Sequence, residues 1–169
     1  MQPDFATGGL VYALCVRVLG IDYGRRRIGL AISDATGLLA RPWKTIACAG
    51  GAARVAASLA AEIAVLASED DGLSAVAIGY PRRLSGEPNG QTAAVEAIVT
   101  ELRSLVDLPV VLQDERLTSR EAESLLAQRE KDWRKRKPLL DAASAAVILQ
   151  DYLDGRPRPP QTNLDLEGL

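Results

Sequence analysis

The hydrophobic period of this chain changes near Gly51, and that change constrains its fold more than any other feature. Before it, three β-rich runs, Cys15–Asp22, Arg27–Ser33 and Leu38–Ala47, are separated by the turn-prone segments Asp22-Tyr23-Gly24 and Ser33-Asp34-Ala35-Thr36-Gly37. Runs so closely spaced are joined by hairpins, so three antiparallel strands come first, with Pro42 weakening the third or confining it to an edge. From Gly51 to Ala67 the pattern becomes helical, with Val55, Leu59, Ile63 and Leu66 on one face. A buried strand Leu73–Ile78, a helix Gln91–Leu105 (Val95, Ile98, Leu102 and Leu105 inward) and a fifth strand Pro109–Gln113 follow. Thr118-Ser119-Arg120-Glu121 fits a capping box for a helix through about Gln128. Pro138 stands where a last helix, Leu139–Leu153, is expected to begin.

An antiparallel meander followed by right-handed βαβ crossovers predicts an α/β fold: a mixed five-stranded sheet flanked by helices. Ligands of such sheets bind outside the carboxyl ends of strands, near a switch in strand order. At 169 residues the chain has the length of one domain. Its apolar run Val11–Ile21, broken by Arg17, is too short to span a bilayer, and Met1–Leu10 lacks the basic start of a signal peptide. A soluble, cytoplasmic protein with no membrane partner is expected.

The chain contains no histidine, which excludes a Ser-His-Asp triad, a Cys-His pair and an HExxH zinc site. Cys15 and Cys48 form no CxxC pair and read as small buried residues. An enzyme of this composition must work with carboxylates, Lys and Arg, or a metal. The net charge of −2 argues against coating nucleic acid by bulk electrostatics, and 4% aromatic residues give little for a base-stacking platform.

Three carboxylates fall where this topology converges. Asp22 ends the first strand, Glu115 lies just past the fifth, and Asp141 is expected in the first turn of the last helix, where Ala142, Ala143 and Ser144 are small enough for close approach to the sheet. Each has a plain alternative: a turn residue for Asp22, an acid at a helix N-terminus for Asp141, a partner of Arg116 for Glu115. Together at one end of one sheet they suit divalent cations that stabilise charge on the attacking and leaving oxygens of a phosphodiester, and hard oxygen donors favour Mg²⁺ or Mn²⁺. Strand alternation sends one of Asp114 and Glu115 toward the site and the other away, leaving both open.

The segments Leu19-Gly-Ile-Asp-Tyr-Gly-Arg-Arg-Arg-Ile-Gly-Leu-Ala-Ile-Ser-Asp34, Ile78-Gly-Tyr-Pro81, Asp114-Glu-Arg-Leu-Thr-Ser119 and Asp141-Ala-Ala-Ser-Ala-Ala-Val-Ile-Leu-Gln150 resemble, in order, the signature segments of the YqgF/RuvX family. That family is described both as Holliday junction resolvases and as nucleases maturing the 5′ end of precursor 16S ribosomal RNA. The resemblance covers roughly Val16 to Leu153. It implies an RNase H-like fold related to RuvC and matches Asp22, Glu115 and Asp141 to the family's acidic positions. It departs at Gly79-Tyr80-Pro81, where the family usually has Gly-Leu-Pro. On this reading residues 1–15 are an extension, 16–154 the nuclease domain and 155–169 a flexible tail.

Six of the nine residues from Arg129 to Lys137 are basic, so Arg134, Lys135, Arg136 and Lys137 are candidates to contact phosphate, the alternative being a solvated loop. Arg25, Arg26 and Arg27 follow Asp22 directly and are candidates to hold the backbone beside the acids, Arg25 and Arg26 foremost, with one of the three serving as a plain strand-exposed residue. Arg82 and Arg83 open a loop with the composition of a lid, and Arg116 follows Glu115 directly. The expected function is metal-dependent phosphodiester hydrolysis in ribosomal RNA processing, with junction resolution by a homodimer as the alternative. A module that only binds nucleic acid is disfavoured by the three acids. A sugar kinase or actin-like ATPase, whose opening hairpin resembles Gly20-Ile-Asp-Tyr-Gly24, would need two such domains. RNA is the favoured partner and branched DNA the other.

Overall fold

The computed structural model describes residues 17–81, 85, 87–114 and 133–157, with the stretch 133–138 described by its backbone alone. The strands are β1 (Val18–Tyr23), β2 (Arg27–Ser33), β3 (Ala40–Ala47), β4 (Ala75–Tyr80) and β5 (Val110–Asp114), and the helices are α1 (Ala52–Ala67), α2 (Thr92–Leu105) and α3 (Trp133–Asp154). They form one five-stranded sheet in the order β3-β2-β1-β4-β5. The β1–β2 and β2–β3 pairs are antiparallel, while β1–β4 and β4–β5 are parallel. This is the meander followed by crossovers that the change of period predicts. Pro42 falls on the edge strand β3, where its missing N–H costs no interior ladder bond. The register shifts beside it, between Leu30 and Ala31.

The two faces of the sheet are chemically unequal. Leu19, Ile21, Ile28, Leu30, Ile32, Val76, Ile78 and Val110 pack against Val55, Leu59, Ile63 and Leu66 of α1 and Val95, Ile98, Val99 and Leu102 of α2. Each such side chain, fully buried, contributes about 1.5–3 kcal/mol. The α1 stripe read from the sequence is buried as expected. In α2 the stripe ends one turn early, because Leu105 is 53% exposed at the helix end while Thr92 and Val99 are buried.

On the other face the strands present Val18, Ala31, Ala75 and Ala77, and α3 lies against them through Ala145, Leu149 and Leu153. Small residues on this face let one helix lie close to the sheet. A Cβ on Gly20 would stand 2.6 Å from the Leu149 Cβ and 2.9 Å from the Ala145 carbonyl oxygen. At its far end α3 is tied to the β2–β3 turn by Gln150, whose Oε1 accepts from the Ala40 amide (2.9 Å) and whose Nε2 donates to the Leu38 carbonyl (2.9 Å).

The last helix begins earlier than its sequence suggests. Pro138 lies inside α3, which runs from Trp133, so Asp141 is in an interior turn and not the first. Proline's fixed φ is compatible with a helix at the expense of one hydrogen bond, and the Arg-Lys-Arg-Lys run before it has good helix propensity. The helix expected at Thr118–Gln128, the extension 1–15 with Cys15 and most of the tail lie outside the described residues. Arg17, the charge inside the first apolar run, is 6% exposed: Nε donates to the Gly72 carbonyl (2.9 Å), Nη2 to the Leu66 carbonyl (3.1 Å) and Nη1 pairs with Glu69 (2.9 Å). It thereby satisfies a carbonyl at the C-terminus of α1, where a cation also complements the helix dipole.

Candidate active site

Alternation along β1 puts Asp22 on the α3 face with Val18 and Gly20, because Leu19 and Ile21 belong to the opposite core. Across the antiparallel pair Asp22 stands opposite Gly29. A side chain at Gly29 has nowhere to go, since its Cβ would overlap the carbonyl group of Asp141. The glycine therefore admits the Asp141 turn of α3 to the sheet surface beside Asp22. The closure depends equally on the tight turn after β1, in which the Gly24 amide donates to the Arg27 carbonyl at 3.0 Å.

The charge of Asp141 reaches Asp22. Burial, and next the negative charge of Asp141, raise the Asp22 carboxyl from its ordinary 3.8 to about 6. Asp141 also meets Arg27, whose Nε lies 2.9 Å from Oδ2. Two oxygen donors sharing a partly desolvated space, one raised first by burial and then by the charge of the other, fit a hard divalent cation. Among the described residues no third acid joins them.

β5 distributes its last residues between the faces. Val110 and Leu112 pack with the α1/α2 core, and Asp114 continues that series opposite Tyr80, which packs on the same side. Asp114 therefore faces away from Asp22. The parallel registers place Gln113 on the α3 side level with Asp22, two strands away and so about 10 Å distant. Glu115, the next position of that alternation, lies outside the described residues, as do Arg82, Arg83 and Arg116.

Arg25 and Arg26 are exposed in the β1–β2 turn. The Arg26 carbonyl accepts from the Cys48 amide at 2.9 Å, and an Arg25 amino group comes within 3.8 Å of where a Gly90 Cβ would sit. The hairpin tip thus meets the end of the loop that follows β4. The base of that loop is stitched by Thr92, which is 2% exposed: its hydroxyl donates to the Pro81 carbonyl (2.8 Å) and accepts from the Asn89 amide (2.8 Å). Arg134, Lys135, Arg136 and Lys137 belong to the start of α3, on the same continuous helix as Asp141. The sequence names Arg27 only as one of three neighbouring arginines able to hold the nucleic-acid backbone, not as a partner of Asp141, and does not single out Gly29 or Gly20. Their signal is the alternation itself, because Arg27, Gly29 and Ala31 share the side of β2 that carries no large aliphatic residue.

The family model described as "RuvX: Holliday junction resolvase" matches residues 16–155. A Chloroflexus aggregans protein named "Putative pre-16S rRNA nuclease" is 40% identical over 142 residues, covering 84% of this chain and 96% of that relative. A relative of the same name from Roseiflexus sp. is 36% identical over 140 residues, covering 83% of this chain and 95% of the relative. Among solved structures, the Fowlpox virus resolvase in complex with substrate Holliday junction DNA superimposes with a TM-score of 0.53 over 82% of this chain and 97% of that one. At 12% identity this is a likeness of fold alone.

Proposed function

Because the chain belongs to the RuvX family of Holliday junction resolvases, we propose that it is a divalent-metal-dependent nuclease that hydrolyses phosphodiester bonds of precursor 16S ribosomal RNA in the cytoplasm. The observation that carries this reading is the meeting of Asp22 with Asp141 over the bare backbone of Gly29. Asp22 and Asp141 would hold Mg²⁺ or Mn²⁺, with Glu115, the next residue in sequence after β5, as the third carboxylate. A divalent cation so held supplies charge stabilisation at the attacking and leaving oxygens of the phosphodiester, which a chain without histidine cannot supply by general-base chemistry. The nuclease unit spans residues 16–154.

The substrate strand runs along the end of the sheet where β1 stops and α3 projects past it. Helical periodicity puts positions 134 and 137 on the stripe of Asp141, about 10 and 6 Å along the axis at 1.5 Å per residue, whereas 135 and 136 lie on the other side. Arg134 and Lys137 therefore contact the phosphates nearest the cleaved bond. Lys135, Arg136 and Arg116 contribute to the wider field, and Arg25, Arg26, Arg82 and Arg83 bind the strand from the hairpin and the loop after β4.

Purified protein with Mg²⁺ or Mn²⁺ should cut a 5′-extended 16S precursor fragment and leave a four-way DNA junction intact, and Asp22→Asn should remove cleavage while retaining RNA binding. The family's description favours junction resolution as the second reading. That reading requires two symmetric cuts by a dimer, so selective junction cleavage by a stable dimer establishes it in place of the first. No cleavage of either substrate refutes both.

A further inference from the structure

The ion pair between Arg27 and Asp141 is an unpromising source of stability. The two side chains are 37% and 28% exposed, and pairs in that setting contribute about 0–1 kcal/mol. Its position is more informative. Arg27 is the first residue of β2, on the α3 side of that strand with Gly29 and Ala31, and its carbonyl closes the turn that follows Asp22. Two successive α3-facing positions of one strand thus fix Asp141, as Gly29 makes room for its backbone and Arg27 engages its carboxylate. The Arg27 Nε stands 2.9 Å from Oδ2, a buried oxygen that no aligned hydrogen-bond donor reaches, so charge and close approach hold the two side chains together. A carboxylate on a helix rotates about two torsions. A cation anchored on a β-strand at this distance narrows the rotamers open to that carboxylate.

We propose that Arg27 is a positioning residue for the cation site: it fixes the Asp141 carboxylate so that one oxygen is presented toward the space shared with Asp22. The inference rests on Asp22 and Asp141 binding a divalent cation. Outer partners that orient metal-ligating groups are commonly worth 10–100-fold in metal affinity, and Arg27 is expected in that range. Attraction and orientation make opposite predictions here. As a mere positive charge beside the site, Arg27 would repel a dication, and its removal would tighten binding. As an orienting group, its removal weakens binding.

The test is titration of the full-length protein with Mn²⁺, followed by electron paramagnetic resonance and calorimetry without nucleic acid, for wild type, Arg27→Met, Arg27→Lys, Asp141→Asn and the Arg27→Met/Asp141→Asn double variant. Thermal denaturation in chelator verifies that each variant is folded. The expected result is a loss of Mn²⁺ affinity of about 10-fold or more in Arg27→Met, partial recovery in Arg27→Lys, and no further loss when Arg27→Met is added to Asp141→Asn. Affinity in Arg27→Met equal to or tighter than wild type overturns the proposal, as does a loss that persists undiminished in the Asp141→Asn background. If Asp141→Asn itself leaves Mn²⁺ binding unchanged, the two-acid site fails and not merely the role of Arg27.

Discussion

Replacing Asp22 by Asn should make the metal-free protein more stable at neutral pH. The folded state raises the Asp22 carboxyl from 3.8 to about 6, so keeping it ionised at pH 7.5 costs, at about 1.4 kcal/mol per pH unit, about 3 kcal/mol relative to the unfolded chain. Asparagine has nearly the same shape and no charge to desolvate or to repel Asp141. At roughly 2–4 °C per kcal/mol for a chain of this length, the melting temperature should rise by about 6–12 °C in chelator at pH 7.5. The sign with pH follows from proton binding. Between the two values the folded state binds more protons than the unfolded, so wild-type stability falls as pH rises through about 4 to 6, and the penalty is complete above that. The advantage of Asp22→Asn should therefore shrink toward zero as pH is lowered to 4. Millimolar Mn²⁺ should stabilise the wild type and leave the variant unmoved, by the usual mass-action linkage. Scanning calorimetry at pH 4, 5.5 and 7.5, with and without Mn²⁺, measures all of this. An Asp22→Asn variant no more stable than wild type at pH 7.5, or one whose advantage grows on acidification, would refute the electrostatic picture of the site.

Three further outcomes follow from the same geometry. Gly29→Ala must drive the Asp141 turn off the sheet, so urea denaturation should show a loss of about 3 kcal/mol or more together with lost Mn²⁺ binding; unchanged stability and binding would mean that α3 does not approach β2 as described. Arg17→Met leaves the Gly72 carbonyl without its buried donor and the Leu66 carbonyl with the Glu69 amide alone, for a cost of about 2–4 kcal/mol measurable by the same method, and a neutral effect would contradict the clamp. Arg134→Ala with Lys137→Ala should weaken RNA binding and reduce its salt slope by about 1–2, more than Lys135→Ala with Arg136→Ala; equal effects from the two pairs would deny the helical register its role.

The sheet was legible because its signals were local: three strands before Gly51, then an α1 stripe whose four expected apolar residues are all buried. The acids Asp22 and Asp141 were legible for a different reason, since topology alone brings the end of β1 and the last helix together. What misled was a local rule applied without its context. Pro138 reads as a first helical residue, yet a helix tolerates it six residues in, which moves Asp141 to an interior turn. That Asp114 faces away from Asp22 follows from strand parity, which sequence leaves ambiguous until the facing of Val110 and Leu112 is known. Arg27 was hidden among three consecutive arginines, and only the unequal faces of the sheet distinguish it.

The central claim, that Asp22 and Asp141 together hold a divalent cation, is tested most directly by anomalous scattering from crystals soaked in Mn²⁺. A manganese peak is expected in contact with carboxylate oxygens of both Asp22 and Asp141, with Glu115 completing the shell. A peak elsewhere, or none between these two residues at saturating Mn²⁺, would contradict it.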